Sequence, residues 1–166
     1  DLLVAAKSDL GRLEVSSVSV DLKAQAAQAI ETADSGQSRI VGLPEVAAKC
    51  IGDPARVRQI IRNLLSNAIK YGGPERVIET AVRDGFGVLE VRDNGAGVPE
   101  ECRERIFNAY DRGDAPTAST NSLGLGLHIS RGLADRMGGA LTYRYENGQS
   151  IFELRMPLAP VETTGP

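Results

Sequence analysis

The chain is poor in the residues that usually carry catalysis. It has 166 residues, of which one is histidine, His128, two are cysteine and none is tryptophan. Catalytic metal sites and proton relays draw heavily on histidine, and no Ser-His-Asp set is credible around a single one. Cys50 and Cys102 are far apart and lack CxxC spacing. That excludes a disulfide framework and a four-ligand zinc site, and both read as small buried hydrophobes. With three Phe and four Tyr, the chain offers no aromatic platform for single-stranded nucleic acid. No apolar run approaches ~18 residues, so no membrane span is expected. The first residues, Asp1 to Val4, have no basic stretch and do not resemble a signal peptide. A net charge of −3 argues against a DNA- or membrane-binding surface over the whole domain. The expected setting is cytoplasmic and reducing, with no nucleic-acid partner. The chain starts without Met and reads as a piece of a longer protein, so any inner-membrane anchor would lie in other regions.

What remains is an ordinary globular composition, 42% hydrophobic and 25% charged, long enough for one domain with a sizeable core. Residues 1–13 place Leu2, Leu3, Ala6, Leu10 and Leu13 at helical spacing and read as the end of a longer helix. A strand is expected over 14–21 and an Ala-rich helix over 22–33. Short strands follow near 39–43 and 47–51. The clearest element is a helix from Asp53 to Tyr71. Asp53 caps it, Pro54 takes the first helical position, and Val57, Ile60, Ile61, Leu64, Leu65, Ala68 and Ile69 form a continuous apolar stripe. Gly72-Gly73-Pro74 ends it. Strands over 77–83 and 87–93 form a hairpin about Asp84-Gly85. A turn at 93–99 leads to a short helix near 100–107. Residues 111–122 are small and polar and read as a loop. A helix over 125–137 and strands at 141–145 and 150–156 complete the order, with a frayed tail. Paired strands alternating with helices predict an α+β fold, a two-layer sandwich with helices on one face of a mixed sheet.

Three clusters carry possible chemistry. Asn63, Asn67 and Lys70 stand at i, i+4 and i+7 and fall within about 60° on the flank of the long helix. An amide oxygen is a hard ligand suited to Mg²⁺, and a lysine one turn on adds a point charge for phosphates. The run Asp93-Asn94-Gly95-Ala96-Gly97 puts a carboxylate at a strand end beside a turn whose glycines admit close approach. Such a carboxylate would accept from the exocyclic amine of adenine. The run Ser122-Leu123-Gly124-Leu125-Gly126-Leu127 enters a helix, and free N–H groups there form an anion site. Each cluster alone could be a solvated helix flank, an ordinary turn or a glycine-assisted helix start. There is no GxxxxGK[ST] run, and Gly124-Leu125-Gly126 lacks the third glycine of a dinucleotide fingerprint. Together the clusters suggest a nucleotide site with a lid between the second and third.

The order of DPARVRQIIRNLLSNAIKYG, DNGAGVP, RIFNAY and SLGLGLHISRGLADRMGG resembles the N box, first glycine box, F box and second glycine box of sensor histidine kinases. These belong to the wider family of gyrase, Hsp90, histidine kinase and MutL ATPases, and the match covers about residues 14–157. The resemblance implies a Bergerat-type fold that holds Mg-ATP between helices and lid. It implies that Asn67 coordinates Mg²⁺, that Asn63 and Lys70 lie beside the phosphates, and that Tyr71 packs on adenine. Asp93 would bind the adenine amino group in a pocket shaped by Gly95 and Gly97. Ile106 and Phe107 would anchor the lid, Arg112 would reach the phosphates, and Ser122, Gly124, Leu125, Gly126 and Leu127 would form the triphosphate loop. Two departures are visible: Asn121-Ser122-Leu123 stands where the family often has glycines, and Tyr110 where Phe is common.

Gyrase-like and Hsp90-like relatives carry a glutamate at position 63 that activates water. Asn63 lacks that basicity, so transfer to a protein acceptor is favoured over hydrolysis. The implied activity is transfer of the γ-phosphoryl group to a histidine on a dimerisation hairpin, with a response regulator downstream. Residues 1–13 would be the end of that hairpin, 14–158 the ATP-binding domain and 159–166 a disordered tail. His128 lies after the second glycine box, not on a hairpin, and reads as a helix residue packed beside the site. Dimerisation in this family resides in the hairpin, so the stretch itself is expected to be monomeric. Alternatives are a serine kinase of the anti-sigma-factor type and a nucleotide-binding module without kinase activity.

Overall fold

The computed structural model describes residues 11–33, 40–42, 44–109 and 125–161. Strand β1 (Val18–Asp21) leads into helix α1 (Leu22–Ala33). Strands β2 (Ile40–Gly42) and β3 (Lys49–Gly52) precede helix α2 (Pro54–Tyr71). The hairpin β4 (Arg76–Arg83) and β5 (Phe86–Asp93) is followed by two 3₁₀ turns, Glu100–Cys102 and Arg105–Phe107. Helix α3 (Gly126–Arg136) and the hairpin β6 (Ala140–Glu146) and β7 (Gln149–Pro157) close the order. The main sheet runs β2-β4-β5-β7-β6, parallel between β2 and β4 and antiparallel elsewhere. β1 and β3 pair antiparallel as a separate ribbon. This is the α+β sandwich expected, with the strands divided between two sheets rather than one.

Two face-sharing rows explain how the sheet holds the helices. Ile78, Val91, Phe152 and Tyr143 stand opposite one another across four strands, and Thr80, Leu89, Leu154 and Leu141 form the next row. Alternation puts both rows on one face. That face meets Leu22, Ala26 and Ala29 of α1, the stripe Val57, Ile60, Ile61, Leu64, Leu65 and Ala68 of α2, and Leu133 and Ala134 of α3, all buried in one core. Burying each large aliphatic side chain contributes roughly 1.5–3 kcal/mol of transfer free energy.

A third row on the same face is polar: Arg76, Asp93, Ser150 and Tyr145. It ends the hydrophobic layer and turns Asp93 toward the helices.

The strand expected over 14–21 is shorter than its alternation suggests. Only Val18 to Asp21 pair in a ladder, and before them Leu13 O and Ser16 N are held by the side chains of Arg136 and Asp53 instead. The helix expected near 100–107 is two 3₁₀ turns. Pro99 opens the first, and neither has a side-chain cap. The loop expected at 111–122, most of the helical stretch 1–13 and the last five residues lie outside the described residues.

Candidate nucleotide-binding site

Helix α2 is set in place at its start. Asp53 Oδ1 accepts from Ala55 N at 3.0 Å and Arg56 N at 3.3 Å, and Pro54 follows as the first helical residue. The apolar stripe then fixes the rotation of the helix, which leaves Asn63 and Asn67 half-buried on its flank and Lys70 and Tyr71 exposed. Those four residues lie along the last three turns, as the 3.6-residue period requires.

The C-terminal end of α2 is packed directly onto the turn after β5. Asp93 is 6% exposed, and its Oδ1 accepts from Gly95 N at 2.8 Å and Gly73 N at 3.3 Å. Asn94 Oδ1 accepts from Glu75 N at 3.1 Å, and Asn94 N donates to Glu75 O at 3.3 Å. The two turns are thereby joined. A side chain at Gly73 would strike Asn94, and one at Gly95 would lie 2.8 Å from both Asp93 Oδ1 and Gly73 N. Only glycine allows this approach. Arg76, buried beside Asp93 in the polar row, donates from Nε to Ala68 O at 3.0 Å, a carbonyl that also accepts from Gly72 N at 3.1 Å, and so ties the row to the end of α2.

The far side of the same turn rests on β6. Gly97 has φ +73 and lies against the Tyr145 ring, and Val98 N donates to Tyr143 Oη at 2.9 Å. Tyr143 itself packs on Phe152, 4.9 Å between centroids. These tyrosines were not singled out by the motif reading. Their signal was the alternating pair in β6, which looks like an ordinary strand.

The middle of α2 is packed onto the start of α3. Asn63 Nδ2 donates to Ser130 Oγ at 3.1 Å, and a Cβ at Gly126 would collide with Asn63 Oδ1. Leu125 precedes the helix with no side-chain cap, so among the described residues no cap serves the first N–H groups of α3, the end that favours an anion. Leu125 and Leu127 are half-buried and Gly126 is exposed. Ile106 and Phe107 are buried, the Phe107 ring edge-on to Phe152 at 6.4 Å and under Arg131, whose guanidinium carbon is 4.6 Å from the ring centroid. His128 Nδ1 lies 3.2 Å from Phe107 O. A carbonyl only accepts, so Nδ1 carries the proton there. Among the described residues His128 Nε2 has no partner. His128 thus ties Phe107 to α3, a contact the sequence did not reveal. Arg112, Ser122 and Gly124 lie outside the described residues.

A sandwich that joins an amide-bearing helix to a buried carboxylate turn at one end and an open helix N-terminus at its middle is built as a nucleotide-binding domain. The chain belongs to the family of histidine kinase-, DNA gyrase B- and HSP90-like ATPases, whose model matches residues 52–160. It is 33% identical to the probable sensor histidine kinase TcrY of Mycobacterium tuberculosis over 95% of this chain and 34% of that one. The mycobacterial sensor histidine kinase MprB shares the fold, with a TM-score of 0.76 at 24% identity over 87% of this chain and 100% of that one. Full-length ShkA, solved in complex with AMPPNP, is similar with a TM-score of 0.72 at 28% identity over 95% of this chain and 36% of that one. The chain therefore spans about a third of the length of TcrY.

Proposed function

We propose that this chain is the ATP-binding catalytic domain of a sensor histidine kinase, which passes the γ-phosphoryl group of ATP to a histidine on a dimerisation hairpin outside residues 14–158. The carrying observation is that one helix links both halves of the site. The end of α2 packs on the Asp93 turn and its middle packs on the start of α3, with Asn67 and Lys70 between. TcrY, a probable sensor histidine kinase, supports transfer to histidine over the serine-kinase alternative. AMPPNP bound to ShkA supports an adenine nucleotide as ligand.

Each residue then has a task. Both backbone bonds to Asp93 end on Oδ1, so Oδ2 is the oxygen that faces the adenine amine. Guanine has an acceptor where adenine has that amine, so the same carboxylate would repel it. Tyr71, 52% exposed, has a free face for the ring. Asn67 offers one hard oxygen, and Mg²⁺ fits such a site because it keeps several waters and takes phosphate oxygens as its other ligands. When bound, Mg²⁺ supplies charge neutralisation on the phosphates. Lys70 adds a mobile positive charge, and the N–H groups at Leu125–Leu127 donate to phosphate oxygens. Arg112, Ser122 and Gly124 are assigned to the same phosphates. Asn63 is held by Ser130 and has no basicity, so it positions α3 and does not activate water. The acceptor imidazole forms its N–P bond as the bond from the γ-phosphorus to its bridging oxygen breaks, and ADP leaves. Catalysis is then mostly positioning and charge stabilisation. A response regulator receives the phosphoryl group afterwards.

No described helix is long and apolar enough to cross a membrane. Titration calorimetry with ATP and GTP, with and without Mg²⁺, tests the binding half of this reading. ATP should bind and GTP should not. Equal binding of both would overturn the assignment of Asp93.

A further inference from the structure

The segment before β1 is docked on the domain by side chains rather than by a ladder. Past the pair Val18–Gly52, the register would set Ser16 opposite Pro54, where the partner chain has already turned into α2. Ser16 N–H instead donates to Asp53 Oδ2 at 3.0 Å. The same carboxylate caps α2 through Oδ1. One oxygen serves the helix and the other holds the preceding segment. Three residues earlier, Leu13 O accepts from Arg136 Nη1 at 2.8 Å, across 123 positions of sequence. Leu13 and Val15 are half-buried against the core, while Glu14 and Ser16 face out. Hydrogen bonds with a charged partner are stronger than neutral ones, so these two bonds fix the segment at both ends of a short apolar contact.

We propose that Asp53 and Arg136 are positioning residues that set where the ATP site is presented to the phosphoacceptor hairpin, by holding residues 13–16 against α2 and α3. This rests on the kinase reading given above. The latch touches the starting end of α2 and the finishing end of α3, whereas the nucleotide groups lie at the opposite ends of both helices. Asn67 is about 21 Å along α2 from Asp53 at 1.5 Å per residue. Loosening the latch therefore leaves the groups that hold ATP in place. It frees the whole domain to swing on the chain that precedes it. In-line transfer needs the acceptor and the γ-phosphorus within a near-attack distance, so freedom of this kind costs turnover and not nucleotide affinity.

Asp53→Asn separates the two tasks of the carboxylate. Asparagine remains a good helix cap, but its amide N–H₂ would face Ser16 N–H, donor against donor. Ser16→Pro removes the same bond from the other side, and Arg136→Met removes the bond to Leu13. The test uses the full kinase chain, hairpin included, and measures KM for ATP, kcat for autophosphorylation and the melting temperature. The expected result is a fall in kcat of about tenfold or more, with KM for ATP within about twofold. Asp53→Asn combined with Ser16→Pro should be no worse than the worse single variant, because both act on the one Asp53–Ser16 contact. Unchanged or raised kcat in all variants would overturn the proposal. So would KM and melting temperature moving in step with kcat, the mark of a purely structural role. An unsubstituted chain that binds ATP but never labels its hairpin would instead overturn the kinase reading.

Discussion

Asp93 shows how much a single side chain can be asked to do. One oxygen locks two turns together, and the proposed reading gives the other to the ligand. Asp93→Asn can keep the locking bonds through its amide oxygen but presents N–H to the adenine amine. ATP affinity should fall by about 1–3 kcal/mol with little change in melting temperature. Calorimetry with a parallel melt checks this, and a wild-type isotherm would remove Asp93 from the adenine pocket. Gly126 is the second sensitive position. A Cβ there would meet the Asn63 amide, so alanine must either turn that side chain away from Ser130 or shift α3. Overpacking of this kind costs about 1–3 kcal/mol, and Gly126→Ala should lower both thermal stability and ATP affinity, read in the same two measurements. Both residues stood out in the sequence because a carboxylate or glycine at a turn is a local signal. Asn63 was placed beside the phosphates but its bond to Ser130 was not, since nothing local relates positions 67 apart.

At the scale of elements, the outer face of the main sheet is a surprise that hydrophobic patterning could not supply. Glu79, Glu90 and Glu153 stand side by side across β4, β5 and β7. Arg83, Arg92 and Arg144 all bond Glu90, and Arg144 also bonds Glu153 at 2.8 Å. The strands read as alternating segments, but register, which is non-local, decides that three glutamates meet. Burial raises the Glu90 pKa, but hydrogen bonds from Arg144, Arg83 and Arg92 outweigh it and hold the carboxyl at about 2, against an ordinary 4.5. A carboxyl depressed on folding stabilises the fold above its unfolded value and loses that contribution as pH falls through the folded one. Acid unfolding should therefore be steep between about pH 4.5 and 2, and Glu90→Gln should flatten it. At neutral pH the same variant should cost on the order of 1–3 kcal/mol, less than a fully buried pair because the arginines are 25–43% exposed. Denaturant melts across pH check both. The hairpins and α2 were legible because turn residues, caps and a 3.6-residue stripe agree there. The two 3₁₀ turns and the short β1 were not, because each is decided by tertiary partners: Phe152 and Arg131 about Phe107, and Asp53 for Ser16.

For the whole molecule, the four ordered motifs carried the fold class and family, while the contacts between them had to be seen. β6 is the case in point, since Tyr143 and Tyr145 support the turn after Asp93 from outside every motif. Tyr143→Phe leaves Val98 N–H without its acceptor, a loss of about 1 kcal/mol, and should weaken ATP several-fold by calorimetry while the fold persists. The one histidine of the chain sits between Phe107 and α3, so the proposed reading takes its acceptor histidine from outside these residues. That division of labour is the central claim. It is tested by incubating the chain with γ-labelled ATP, Mg²⁺ and its dimerisation hairpin, then treating the labelled hairpin with acid and with alkali. The expected result is label on the hairpin that acid removes and alkali spares, as a phosphoramidate requires, and none when Asn67 is alanine. Label that survives acid, or γ-phosphate released to water with the hairpin unlabelled, would contradict it.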